Sequence, residues 1–401
     1  MVRVLIAGTA DTKGEELLFL AQAIKEAGGE PTIADLGITK PTIAVQIHNV
    51  EVAKFDSEAE ALLGSSDRGP AVAAMGRAFA RLCAELLHNE KASYDAAIGI
   101  GGGGGTSIVA SGFRSLPIGF PKLVVSTMAS GNVGPYVDIA DIGMMYSVTD
   151  FAGLNRLSRT ILRNAAFGIV GMAKAGRVDA QARPSIGLTM FGVTTPCVTA
   201  VVDQLKDEFD CLVFHATGSG GRAMEKLIDD GMIERVIDVT TTEIADELCG
   251  GILTAGPDRL GAIARTSVPY IGSIGACDMV NFGAPDTIPA KFNGRLFYKH
   301  NPQVTLMRTT IDECAAIGRF IGEKLNACLG PVHILIPEGG VSMLDAPGQA
   351  FYDPDADRAL IEALEKTLIP TQTRQCERLP FHINAPEFSS ALAQASRKQS
   401  H

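Results

Sequence analysis

The residues Gly8-Thr9-Ala10-Asp11-Thr12-Lys13-Gly14 end the first apolar run with two hydroxyls, a carboxylate and a lysine. At the start of a helix such a set can hold a phosphate and a Mg²⁺ ion, with Asp11 as the metal ligand. Asp11 fits a simple helix N-cap equally well, and both readings stand. No GxxxxGK[ST] occurs, which excludes a P-loop in its usual form.

The densest glycine run is Gly101, Gly102, Gly103, Gly104 and Gly105, followed by Thr106. Gly99, Gly101 and Gly104 match GxGxxG, a weak signal alone. Five consecutive glycines strengthen it, because that much backbone entropy is lost only where a ligand or another segment approaches closely. No acidic residue follows until Asp138, so the ribose carboxylate of an NAD site is missing and a mononucleotide is favoured.

A second run, Thr217, Gly218, Ser219, Gly220 and Gly221, is ambiguous. Gly218, Gly220 and Ala223 fit GxGxxA, and Asp238 follows Gly218 by 20 residues. That spacing supports an alternative, an NAD-dependent oxidoreductase; a plain strand-to-helix turn is the other reading.

Further loops carry polar groups: Ser126, Thr127, Met128 and Gly131 in one, Cys277, Asp278 and Asn281 in a second, Tyr298 to Asn301 in a third, and Glu338 beside Gly339 and Gly340. His215, His300 and Asp278 are the candidates for proton transfer, although a histidine in such a place also serves as a hydrogen-bonded structural residue. Cys197 and Cys277 sit beside strand-end loops and read either as nucleophiles or as core thiols. No Ser-His-Asp order, HExxH or zinc spacing fixes a reaction.

The elements that must position these loops alternate short apolar runs with helical periods, as in parallel sheets covered by helices. Strands are predicted at 2–7, 32–36, 95–100 and 122–126, then at 185–190, 211–215, 236–239, 270–274 and 333–337. Helices are predicted at 15–27, 70–89, 155–175, 312–328 and 355–368. A linker is expected at Gly176 to Pro184 and fraying from Ala395 to His401. A length of 401 residues exceeds one core, so the expectation is α/β with two Rossmann-like, doubly wound subdomains, 1–180 and 181–401, and a cleft between them.

A net charge of -10, 6% aromatic residues and no Trp exclude nucleic acid as the main ligand. The eight cysteines show no CxxC pair and read as thiols in a reducing compartment. The first apolar run is too short for a signal-peptide core, and no apolar stretch reaches the length of a membrane span. The expected location is the cytoplasm, without membrane contact.

At these loops the sequence resembles the family of the ATP-binding N-terminal domain of the tomato mosaic virus resistance protein, with bacterial and fungal relatives. The stretches that carry the resemblance include GTADTKGEEL at 8–17, GIGGGGGTS at 99–107, STMASGN at 126–132, FHATGSGGRAMEKL at 214–227 and FYKHNPQVTLMRTT at 297–310. The resemblance implies ATP, with Mg²⁺, on the glycine-rich loops, two Rossmann-like subdomains and a homodimer. It implies no reaction, so a small-molecule substrate and a non-catalytic nucleotide sensor both remain open. Nothing in these residues points to the plant protein's viral partner.

Overall fold

A computed structural model describes residues 1–88, 94–176 and 183–398. The chain divides into two compact units, Met1–Ala180 and Gln181–His401. Most of the expected linker lies outside the described residues.

The first unit is built on five strands: β1 (Val2–Gly8), β2 (Gly29–Asp35), β3 (Ala96–Gly101), β4 (Lys122–Ser126) and β5 (Gly143–Tyr146). They run parallel in the order β2-β1-β3-β4-β5. Alternate side chains of β1 enter opposite cores, as the two-residue period of a strand requires. Val4 and Ile6 pack with the helices Gly14–Glu26 and Arg156–Ala175, whereas Leu5 and Ala7 pack with Arg68–His88 and Gly103–Arg114. Helices therefore cover both faces, and burying each large aliphatic side chain stabilises the unit by about 1.5–3 kcal/mol.

The longest helix of the second layer shows how local signals set its limits. Asn155, read as its first residue, is instead its N-cap: the side chain accepts from the amides of Leu157 and Ser158, and Ser158 Oγ accepts from the Asn155 amide. Gly176 ends it at φ +68°, a conformation that favours glycine.

The second unit repeats the plan with β6 (Ser185–Met190), β7 (Asp210–His215), β8 (Arg235–Thr240) and β9 (Tyr270–Gly275). Three short strands follow, β10 (Met279–Phe282), β11 (Phe297–Asn301) and β12 (Val304–Arg308), then β13 (Val332–Pro337) and β14 (Arg374–Leu379). The six parallel strands lie in the order β14-β13-β9-β8-β6-β7. β10, β12 and β11 form a separate antiparallel sheet.

Four features depart from the sequence reading. Residues 279–281 and 298–301 were expected in loops but belong to the small antiparallel sheet. β5 and β14 were not anticipated: both are edge strands, β5 has only four residues, and β14 carries three charged residues among its six. The helix Pro386–Lys398 extends through the part of 395–401 expected to fray, since Phe388, Leu392 and Ala395 bury one face. Among the described residues no helix is long and apolar enough to cross a membrane.

Candidate functional site

In each parallel sheet the strand order reverses beside the first strand of the unit, and ligands of such sheets bind at that reversal, beyond the carboxyl ends of the strands. In the first unit the reversal lies between β1 and β3. Thr9 to Lys13 leave β1, Gly102 alone separates β3 from the helix Gly103–Arg114, whose first turn holds Gly103 to Gly105, and the segment after β4 lies next to them. The structure thus brings Thr9 beside Gly105, Thr127 beside Gly102 and Met128 beside Gly103, with Thr106 and Ser126 joined beneath, whereas the Asp11 side chain turns to Thr39 and that of Lys13 to Phe151. A Cβ built on Gly105 would lie 4.0 Å from Thr9 Cγ2, and one on Gly102 3.8 Å from Thr127 Oγ1.

Both helices that start here lack a side-chain cap. Gly14–Glu26 follows Lys13, and Gly103–Arg114 follows Gly102, with no capping hydrogen bond at either. The first-turn N-H groups of a helix have no partner within it, so these ends present donors and a positive dipole to the crevice.

The glycines divide into two kinds. Gly99 and Gly101 are structural: a Cβ would stand 2.3 Å from Val109 Cγ1 at the first and 2.4 Å from the Thr106 nitrogen at the second. At Gly102, Gly103, Gly104 and Gly105 the nearest atoms are 3.7–4.0 Å away. None of the four has a positive φ. Neither crowding by the protein nor backbone strain therefore accounts for four glycines in a row.

Several predicted residues serve the loops from beneath. Thr106 and Ser126 are wholly buried, and their hydroxyls share a hydrogen bond of 2.7 Å. Ser126 Oγ also accepts from the Met128 amide, which starts the turn that Gly131 ends. Thr9 and Thr12 join through their hydroxyls at 2.8 Å, and Lys13 Nζ reaches the Phe151 carbonyl at 3.4 Å. Asp11 is not an N-cap. Its Oδ2 accepts from Thr39 Oγ1 at 2.7 Å, and its Oδ1 has no hydrogen-bond partner.

Asp35, at the end of β2, escaped the sequence reading. Its Oδ1 accepts from the amides of Ala10 and Gly37 at 2.8 and 2.7 Å, tying the loop after β1 to the loop after β2. Burial, offset by these amides, pushes its carboxyl above the usual range. A carboxylate closing a strand was the available signal.

The second glycine loop requires a correction. The amides of Gly218 and Gly221 donate to Glu243 Oε1 at 2.7 and 3.0 Å, so the protein's own carboxylate fills the anion position. A Cβ on Gly220 would stand 1.8 Å from the His215 carbonyl oxygen, which explains that glycine as close packing. The loop also follows β7, an edge strand, whereas the reversal in this unit lies between β6 and β8. Thr217, Gly218, Ser219, Gly220 and Gly221 are therefore a filled turn.

Asp238 is equally committed. It is wholly buried, accepts from Thr189 Oγ1, and binds Arg259 Nη2 at 2.8 Å and Tyr270 Oη at 3.0 Å. No carboxylate is left there for a ribose, and the NAD alternative loses its residues. Arg259 also holds Glu225 and Glu243, so one buried guanidinium gathers three carboxylates.

The proton-transfer candidates stand apart. His215 closes β7 with its ring edge-on to Phe191, His300 is exposed on β11, and Asp278 is wholly buried with Ser342 Oγ at 2.7 Å. Burial pushes the Cys197 thiol up to about 12 and the Cys277 thiol higher still. Both are therefore core thiols and not nucleophiles.

These features define a protein of two doubly wound parallel α/β units whose first unit carries the glycine run Gly101 to Gly105 at its strand-order reversal. It belongs to the uncharacterised protein family UPF0261, whose N-terminal domain matches residues 2–177 and whose C-terminal domain matches residues 183–400. A UPF0261 protein of Rhizobium meliloti is 58% identical over 400 residues, covering 99% of each chain. The ToMV resistance protein Tm-1(GCR237) of Solanum lycopersicum is 40% identical over 415 residues, which cover 97% of this chain and 55% of that protein. A Streptomyces glycosyltransferase complexed with thymidine diphosphate is 14% identical and covers 68% of this chain and 82% of its own. Its TM-score of 0.19 carries no inference.

Proposed function

We propose that the first unit binds ATP, with the phosphates at the N-terminus of the helix Gly103–Arg114 and against the loop Thr9 to Lys13. The observation that carries this reading is the set of four glycines, 102–105, where a Cβ would meet only ordinary van der Waals contacts at 3.7–4.0 Å, so that packing does not require glycine there. Two uncapped helix ends at a strand-order reversal supply the donors an anion needs. Thr12, Lys13 and Thr127 would add hydroxyls and a positive charge, and the resemblance noted from the sequence favours ATP among nucleotides.

Mg²⁺ belongs to the same reading. The unpartnered Oδ1 of Asp11 fits a ligand to the metal, which would offset the triphosphate charge. The proposal extends to a homodimer in a reducing, cytoplasmic setting, to which eight free thiols are suited.

Isothermal titration of the folded chain with ATP and Mg²⁺ tests the reading. Saturable binding is expected, weakened in Lys13→Ala. Absence of heat at millimolar nucleotide, in protein of native circular dichroism, rejects it.

A further inference from the structure

The edges of the two parallel sheets are not alike. In the first unit the outer side of β2 is covered: the Ile47 amide donates to the Ile33 carbonyl at 3.0 Å, and the Asp35 amide to the Ile47 carbonyl at 2.9 Å. β5, at the other edge, has only four residues. In the second unit β14 carries Arg374, Glu377 and Arg378 among its six residues. Covered, short and charged edges are the usual means by which a sheet avoids pairing with other chains.

β7 has none of these protections. It is an edge strand of six residues, and between Asp210 and His215 it holds only Cys211, Leu212, Val213 and Phe214. Val213 is 41% exposed. The bonds to β6 fix which backbone groups look outward. The Asp210 amide donates to the Pro184 carbonyl at 3.0 Å and the Ala216 amide to the Met190 carbonyl at 2.7 Å, so the even-numbered residues bond to β6. Alternation along a strand then turns the amides and carbonyls of Cys211, Val213 and His215 away from the sheet. Among the described residues no strand pairs with that side, although Thr217 donates its amide to the His215 carbonyl at 2.7 Å.

We propose that β7 pairs antiparallel with β7 of a second copy of this chain, about a two-fold axis at Val213. Val213 then faces Val213 of the second copy and exchanges both backbone hydrogen bonds with it, while Cys211 faces His215 on either side. All three outward residues find outward partners in this register. A shift by two residues sets His215 against Phe209 or Cys211 against Thr217, whose amides are already bonded to the carbonyls of Leu205 and His215.

Side chains and charge agree with that pairing. The exposed valines bury against each other as a β-branched cross-strand pair. Asp210, exposed at the start of the strand, is carried toward the end of the second strand, where the helix Ser219–Asp229 begins and bears Arg222. Because the opposite edge of the sheet is the charged β14, the contact closes as a two-fold dimer and does not propagate into a fibre. This interface rests on the homodimer proposed above and requires no nucleotide.

The test is sedimentation velocity of the full chain at about 50 µM, without nucleotide, with circular dichroism to show that each protein is folded. The wild type is expected to sediment with the mass of two chains. Val213→Lys alters an exposed side chain but sets two ammonium groups opposite each other, and is expected to weaken association at least about tenfold. In such a pair the Cα atoms lie about 5.5 Å apart, within the reach of a disulfide, so Val213→Cys is expected to give a covalent dimer on mild oxidation in far higher yield than the wild type. A monomeric wild type overturns the interface and the homodimer together. A dimer that withstands Val213→Lys, or folded Val213→Cys protein that cross-links no better than the wild type, overturns the interface alone.

Discussion

Alanine at Gly104 adds one methyl group whose nearest neighbours, Val72 Cγ2 and Cγ1, lie at 3.8 and 4.0 Å, ordinary van der Waals distances. The folded unit accommodates it, and the reduced freedom of the unfolded chain stabilises the native state by about 0.4–1 kcal/mol. The same methyl enters the space assigned to a phosphate. Loss of one charge-assisted hydrogen bond costs about 1.5–3 kcal/mol, so Kd for ATP rises roughly ten- to 150-fold. Gly99→Ala provides the contrast. Its methyl would stand 2.3 Å from Val109 Cγ1, between β3 and the helix behind it, and such overpacking costs about 1–3 kcal/mol. In a unit of about 180 residues each kcal/mol moves Tm by about 2–4 °C. Thermal unfolding followed by circular dichroism, paired with calorimetric titration of ATP, separates the two effects. Gly104→Ala should keep or raise Tm and lose ATP affinity; Gly99→Ala should lower Tm while its folded fraction still binds. Wild-type affinity in Gly104→Ala, or a Tm below that of Gly99→Ala, would refute the division of the glycines.

The other predictions concern the buried charges and thiols. Arg259→Met leaves Glu225, Asp238 and Glu243 without their cation and should cost about 3–5 kcal/mol in urea unfolding, far more than a surface arginine change such as Arg397→Met. Folded Asp278 keeps its proton up to about pH 7, whereas the unfolded carboxyl loses it near about 4. The folded state thus binds more protons between these values, and its stability falls as pH rises through that window, by up to about 1.4 kcal/mol per pH unit for this group. Asp278→Asn should flatten that part of a plot of urea midpoint against pH, and an unchanged slope would contradict the assignment. Cys197 and Cys277 should resist iodoacetamide in the native protein at about pH 8 and react only on unfolding, as read by mass spectrometry.

Much of the architecture is written locally. The run Val4 to Ala7 is apolar on both faces because β1 lies inside a sheet covered on both sides, and a glycine-terminated apolar run announces that without knowledge of its neighbours. The edge strands β5 and β14 and the antiparallel sheet were missed for the converse reason. β5 spans only four residues, and β11 and β14 mix charged and apolar residues without a continuous apolar signal, although β11 pairs with its neighbour β12 across a two-residue turn.

The glycine loops divide in the same way. That Gly101 to Gly105 lead from a strand into a helix is legible from residue order alone, because strand, loop and helix are consecutive. That Gly218 and Gly221 are closed is not, since the anion that fills their amides comes from Glu243, 22 to 25 residues further on, fixed by Arg259 from another helix boundary. Residue types and spacing thus specified the parallel α/β plan and nominated two anion-binding loops. Only tertiary structure shows that the second of them is filled, because whether a backbone donor is free depends on which distant carboxylate the packed core brings against it.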